Sequence, residues 1–499
     1  MTETHTWFAP FAPQEPTAPE DPRLERAFAR IADSDLRAGN KVSLLRNAEE
    51  NYPAWLDALR KAERVIHFEN YIIADDKTGR DFAAILKERA RAGVRVRVLY
   101  DWLGSYTRAS RRFWHDLREA GIEVRVFNPL RLTNPFFLRR NHRKLITVDG
   151  RIGFVSGLCV SDSWQGNSHA DPWRDTGLSL EGPVVADLDA AFADSWAFAG
   201  PPLKREECAA ASDIPAAGTT NARVICGQPG MFRAYRVDQF IAATAKRNIW
   251  IADAYLVPTT AYVQALGEAA QDGVDVRLLV PGSTDSPLLQ PFVRAGYRSL
   301  IEAGVRVFEW NGAMLHAKSA VVDGHWARVG STNLNIASWA TNWELDVVVE
   351  DKTIAEAMEA MYLEDLKQAT EVVPGSVTRR RQERNALSRR SGRARRGAVG
   401  RLAAGAVALG SSIGRDSGGL RSLTATEAGS VATIGAMLLA LAALVIVFPP
   451  LIILPVTLLL GWFGAALLIR SLRLRQRIRI MRHRWERRNA GRSQNSSRM

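Results

Sequence analysis

At 499 residues the chain is long enough for two or three domains. Its three cysteines, Cys159, Cys208 and Cys226, lack metal-site spacing, and their scatter fits a reducing compartment better than a disulfide framework. The net charge of +13 sits in two runs, ten arginines between Arg379 and Arg401 and eleven between Arg470 and Arg498, which leaves the body before Arg379 at about −6. An acidic body lacks the electrostatic footprint of a general nuclease, so no nucleic-acid partner is expected.

The opening stretch through Pro22 holds five prolines and several acids and no secretory leader. Residues 1–40 therefore read as a flexible lead-in. Residues 41–200 form one α/β unit: strands Val65–Phe68 and Val94–Leu99 enclose a helix over Asp81–Ala92 closed by Gly93, and a helix over Arg108–Ala120 leads through Gly121 into strand Val124–Phe127. A linker follows at 201–220, its Leu203–Ala217 stretch rich in Ala, Glu and Pro. Residues 221–373 repeat the order: strand Ile249–Ala252, helix Thr260–Gln271, strand Val276–Val280, helix Leu289–Ala303, strand Val305–Phe308. Parallel strands joined by helices are expected.

Beyond Pro374 the arginine-rich segment 374–428 precedes two uncharged stretches, Val431–Phe448 and Leu451–Ile469, separated by Pro449-Pro450. Each approaches the roughly 20 residues that cross a bilayer, so 429–470 is expected to be a transmembrane helical hairpin. Arginines on both flanks, including the tail 471–499, place both ends in the cytoplasm and favour an anionic membrane surface.

Each α/β unit carries one short pattern: His142-x-Lys144 with Asp149, and His316-x-Lys318 with Asp323 at the same offset, 174 residues on. The strand-like runs Lys144–Val148 and Lys318–Val322 project His and Lys of each copy together, because residues two apart share a strand face. Two imidazoles and two ammonium groups suit attack on a phosphodiester, with a nucleophile, a general acid and charges on the phosphate oxygens. Asp149-Gly150 and Asp323-Gly324 also read as turns.

The paired pattern resembles the phospholipase D superfamily. Asn141-His142-Arg143-Lys144, Trp173-Arg174-Asp175-Thr176, Leu315-His316-Ala317-Lys318 and Gly330-Ser331-Thr332-Asn333-Leu334, with Asn342 and Glu344 downstream, resemble its cardiolipin synthase branch over roughly residues 40–370. The resemblance implies two pseudo-symmetric phospholipase D-like α/β/α repeats forming one catalytic body. It implies His142 as nucleophile, His316 as general acid and later base, Asp175 orienting His316, and Glu344 orienting His142. Lys144, Lys318, Asn333 and Ser331 would bind phosphate, and Asp149 and Asp323 belong to the catalytic motif while bracing their own strands. No metal or cofactor is implied.

The implied activity is a phosphatidyltransferase of the inner or plasma membrane of a bacterium that makes cardiolipin from two phosphatidylglycerols. A hydrolase using water and an inactive membrane scaffold stand as alternatives. Cys159 departs from the family, standing where an amide is usual. Tyr71, with Glu69 and Asp75, matches a segment common in the family and also reads simply as core. Phe136-Phe137, beside Arg139 and Arg140, either dips into the interface or packs inside.

Overall fold

The computed structural model describes residues 22–130, 139–168, 170–204, 207–208, 210–283, 290–373 and 461–462. Two compact units divide the chain, and all described strands lie in the first, whose described residues fall within 22–128 and 139–373. The expected hairpin at 429–470 (save Gly461 and Trp462), both arginine runs and the Phe136-Phe137 pair fall outside the described residues. Among the described residues no helix is long and apolar enough to cross a membrane.

The first half contributes β1 (Arg37–Arg46), β2 (Val65–Asn70), β3 (Arg95–Asp101), β4 (Glu123–Phe127), β5 (Leu145–Val148), β6 (Ile152–Ser156) and β7 (Thr176–Glu181). The second contributes β8 (Thr220–Gly227), β9 (Asn248–Asp253), β10 (Asp275–Pro281), β11 (Arg306–Trp310), β12 (Lys318–Val322), β13 (Trp326–Gly330), β14 (Glu344–Glu350) and β15 (Ala369–Glu371). Outward from the centre the halves run β1-β7-β6-β5-β2-β3-β4 and β8-β14-β13-β12-β9-β10-β11, the same order twice, with β15 added at the second edge. β1 and β8 pair antiparallel and join the halves into one sheet.

β2-β3-β4 and β9-β10-β11 are the expected parallel strands joined by helices, and the other strand pairs are antiparallel. The cause is local. Asp149 and Gly150 (φ 55° and 68°), like Asp323 and Gly324 (54° and 65°), adopt left-handed backbone, and Arg151 N donates to Val148 O across the turn. An Asp-Gly turn of this kind closes a tight hairpin, so β5 and β12 are followed by antiparallel partners β6 and β13.

The parallel strands are joined by helices whose ends the sequence marks. Helix Lys77–Arg91 is capped by the Asp76 carboxylate, which accepts from Gly79 N, and helix Arg111–Glu119 by Ser110, which accepts from Phe113 N. Helices Val184–Ala199 and Lys352–Leu366 bury Leu188, Phe192, Trp196, Met358 and Tyr362 in one apolar core with Val155, Leu178, Val329 and Leu345. Each such side chain stabilises the fold by roughly 1.5–3 kcal/mol. That core holds strands from both halves, so the two repeats are fixed together.

The lead-in is corrected as well. Pro22–Ala32 is a helix, and β1 begins at Arg37. Phe28 is buried against Phe240 and Trp326. The fully buried Arg223 guanidinium stacks 4.4 Å from the Phe28 ring and pairs with Glu25 and Glu350. These contacts tie the segment to the second half.

Candidate active site

The two histidines stand in extended segments just before their strands, rather than on them. Lys144 immediately precedes β5, and Lys318 opens β12. Single parallel bridges hold each segment against the other half. His142 N donates to Trp343 O at 2.8 Å and Trp343 N to Arg140 O at 2.8 Å; His316 N donates to Arg174 O at 2.7 Å and Arg174 N to Met314 O at 2.8 Å. The same exchange occurs twice about the pseudo-twofold.

That exchange places an acid of one half beside the histidine of the other. Glu344, first residue of β14, brings Oε2 to 3.0 Å from His142 Nδ1, which also lies 3.0 Å from the Ser331 carbonyl. Asp175, just before β7, brings Oδ2 to 2.8 Å from His316 Nδ1. All four side chains are buried. Burial raises both carboxyls, but their histidine partners and the nearby lysines outweigh it and hold them below their ordinary values. Burial also drives the imidazoles down, His316 to about 3 with Lys318 adding to the effect. Neutral rings that donate Nδ1–H to a carboxylate carry their lone pair on Nε2, the state a nucleophile or base needs.

The lysines complete an anion site. Lys144 Nζ and Lys318 Nζ each donate to the carbonyl of their own motif histidine, and Lys318 Nζ lies 3.0 and 3.1 Å from the His316 ring nitrogens. Burial lowers both lysines, Lys318 to about 8. Lys318 depresses His142 and Lys144 depresses His316, so the four groups share one electrostatic site. Asn333 is buried, with Oδ1 lacking a partner among the described residues.

Three of the sequence-derived site residues are spent on the scaffold. Ser331 Oγ donates to Glu344 Oε2 at 2.6 Å and accepts from Leu345 N, so its hydroxyl serves the carboxylate, not a phosphate. Asp149 and Asp323, grouped with the catalytic motif, sit at the far ends of β5 and β12. Asp149 accepts from the backbone N–H groups of Glu63, Arg64 and Val65, and Asp323 from those of Lys246, Arg247 and Asn248. Each carboxylate fixes the start of the strand neighbouring its own, β2 or β9.

Other residues emerge only from the tertiary structure. Trp164 Nε1 donates to Asp175 Oδ2 at 2.9 Å, the part Ser331 plays for Glu344. Gly157 occupies the Ser331 position of the first half, and a Cβ there would meet Asp175 Oδ1 at 2.1 Å, so the carboxylate needs glycine. Trp164 and Trp173 flank the His316 ring at 5.0 and 5.6 Å. Tyr71 meets the edge of His142 at 4.9 Å and lies under Lys144; Tyr255 does the same for His316 and Lys318. Tyr255 lies two residues past the end of β9, and Tyr71 directly follows β2; nothing in the sequence marked Trp164.

Glu69 is buried and accepts from Asn141 Nδ2 at 2.6 Å, whereas Asp75 pairs with Arg80 near the surface. Cys159 is buried among apolar side chains, its carbonyl accepting from Tyr52 Oη at 2.6 Å, and burial pushes its thiol up.

A doubled α/β fold with crossed histidine–carboxylate pairs around two lysines defines a phosphodiester-cleaving enzyme of the phospholipase D type. Residues 55–169 and 240–366 match the PLD-like domain of cardiolipin synthase. The cardiolipin synthase of Geobacillus kaustophilus (strain HTA426) is 35% identical over 363 residues, 71% of this chain and 72% of that protein. Cardiolipin synthase A of Pseudomonas fluorescens (strain SBW25) is 35% identical over 357 residues, 70% and 73% of the two chains. The crystal structure of phosphatidylserine synthase from Haemophilus influenzae Rd KW20 shares the fold, with a TM-score of 0.54 at 14% identity over 70% of this chain and 92% of that one. The chain belongs to the cardiolipin synthase-like branch of the phospholipase D superfamily and is a phospholipase D-type phosphatidyltransferase.

Proposed function

We propose that the protein is a membrane-bound cardiolipin synthase that converts two phosphatidylglycerols into cardiolipin and glycerol. The observation that carries the chemistry is the crossed pairing of His142 with Glu344 and of His316 with Asp175 around Lys144 and Lys318. His142 Nε2 attacks phosphorus, and the phosphorus–oxygen bond to the terminal glycerol breaks. Protonated His316 gives its proton to the departing alkoxide, and the two lysines with Asn333 hold the charge on the non-bridging oxygens. The neutral His316 then takes the hydroxyl proton of a second phosphatidylglycerol, whose oxygen attacks the phosphatidyl-histidine and frees His142.

Burial favours the neutral form of both histidines, and an anionic phosphate beside His316 favours the imidazolium that it needs. The apolar stretches Val431–Phe448 and Leu451–Ile469 and the flanking arginines support anchorage to a bacterial inner membrane with catalytic body and termini cytoplasmic. The test is incubation of purified protein with radiolabelled phosphatidylglycerol and separation of the products. Labelled cardiolipin with free glycerol is expected. Phosphatidic acid alone would make the protein a hydrolase, and no product would reduce it to a scaffold.

A further inference from the structure

Segment 102–112 follows β3 and packs against residues that touch the site. It leaves β3 at Asp101, whose buried carboxylate accepts from Leu103 N, Gly104 N and Asn141 N and pairs with Arg140. Asn141 precedes His142. Gly104 packs so closely on Tyr71, whose ring meets His142, that a Cβ there would lie 2.4 Å from the Tyr71 carbonyl oxygen. The segment is therefore fixed to the catalytic wall from two sides.

Its outer side combines two features. Leu103 and Tyr106 are 45% and 64% exposed, on a backbone pinned by the Asp101 cap. Arg108, Arg111 and Arg112 are exposed and make no ion pair among the described residues, on a body whose net charge before Arg379 is about −6. On the other half, Val257 and Ile336 stand exposed beside Asn333, held by the bond from Val257 N to Leu334 O. Exposed apolar side chains thus stand close to site residues on both halves.

We propose that segment 102–112 is a docking element for the surface of an anionic phospholipid bilayer, with Leu103 and Tyr106 entering the acyl boundary and Arg108, Arg111 and Arg112 meeting headgroup phosphates. Exposed aliphatic and aromatic anchors flanked by unpaired arginines have the chemistry of an interfacial contact. Docking here brings the segment against the lipid layer, so a headgroup reaches His142 without its acyl chains leaving the bilayer. The inference rests on the lipid substrate proposed above.

The test uses the full chain carrying Leu103→Cys with a nitrobenzoxadiazole label, in a Cys208→Ser, Cys226→Ser background, reconstituted into phosphatidylglycerol or phosphatidylcholine vesicles. The label is expected to shift to the blue and to be quenched by brominated acyl chains in phosphatidylglycerol only. Arg108→Glu with Arg111→Glu and Arg112→Glu should weaken that response by roughly a hundredfold in lipid concentration. Water-exposed emission in both vesicles, a response equal in both, or one evoked by DNA instead of vesicles overturns the proposal.

A second arm measures turnover of Leu103→Glu with Tyr106→Glu. A loss of roughly tenfold or more on vesicle-borne lipid, with turnover of monomeric dihexanoyl phosphatidylglycerol retained, is expected. Equal loss on both substrates overturns a docking role. A wild-type protein whose label responds but which makes no cardiolipin refutes the proposed reaction and leaves the docking element standing.

Discussion

Replacing Asp175 by Asn tests the polar frame of His316. The wild-type carboxylate accepts three hydrogen bonds: from His316 Nδ1 and Trp164 Nε1 at Oδ2, and from Thr176 N at Oδ1. An Asn has one oxygen. Turned toward His316 and Trp164, it keeps two of the bonds and leaves its NH2 facing Thr176 N–H, at a cost of about 1–3 kcal/mol in stability. Turned the other way, it sets two donors against the indole and forces His316 into the other tautomer. Trp164 thus selects the first arrangement, and Asp175→Asn retains the catalytic tautomer.

What the variant loses is the negative charge that balances His316 when it carries a proton. For charges roughly 4 Å apart at an effective dielectric constant near 20, that is about 4 kcal/mol, or roughly a thousandfold in kcat. Adding Trp164→Phe releases the constraint, so the amide rotates, His316 loses its Nε2 lone pair, and turnover falls about tenfold further. Transfer rates of the two single variants and the double, at pH 7 with thermal midpoints on the same samples, check this. Asp175→Asn within tenfold of wild type would refute the charge argument. A double variant no slower than Asp175→Asn would refute the role given to Trp164.

His142→Ala and His316→Ala should each abolish lipid product with the fold intact, and the double variant should be little worse than either, because the pair acts as a unit. Mass spectrometry after acid-free quenching should find the phospho-adduct on His142; an adduct on His316 reverses the roles. Lys318, pushed down to about 8 chiefly by burial, is charged below that pH and neutral above it, so kcat/KM should fall as pH rises through about 8 and Lys318→Arg should remove that limb. A profile flat to pH 9.5 in the wild type would contradict the lowered value. His316 is held neutral down to about 3 mainly by burial, so the unfolded chain binds more protons between about 6.5 and 3 and stability must drop as pH falls through that window. The thermal midpoint of His316→Gln should fall less steeply there than that of the wild type. Cys159→Asn should lower the midpoint without raising turnover, since it sets an amide among the buried side chains around Leu158 and Val160; increased turnover at an unchanged midpoint would make this position a weakened phosphate donor instead.

The sequence by itself determined the duplication, both histidine–lysine pairs and the helices and strands around them. Those signals are local: Thr260–Gln271 and Lys318–Val322 have the bounds their periodicity and turn residues predict. It also marked Asp175 and Glu344, through a resemblance in short segments, but not how an acid from one half reaches the other half's ring. Tertiary structure decided that, because the bridges at Trp343 and Arg174 depend on halves joined through β1 and β8, 174 or more residues apart.

It also decided the uses of similar residues. Ser331 bonds to Glu344, while in the first half Gly157 makes room for Asp175 and Trp164 supplies the donor from another segment. The reversals from β5 to β6 and from β12 to β13 were written in Asp149-Gly150 and Asp323-Gly324, yet a turn read in isolation does not say which strands it joins. A side chain's partner across the sheet depends on register and packing over long separations, and neither leaves a period in the sequence.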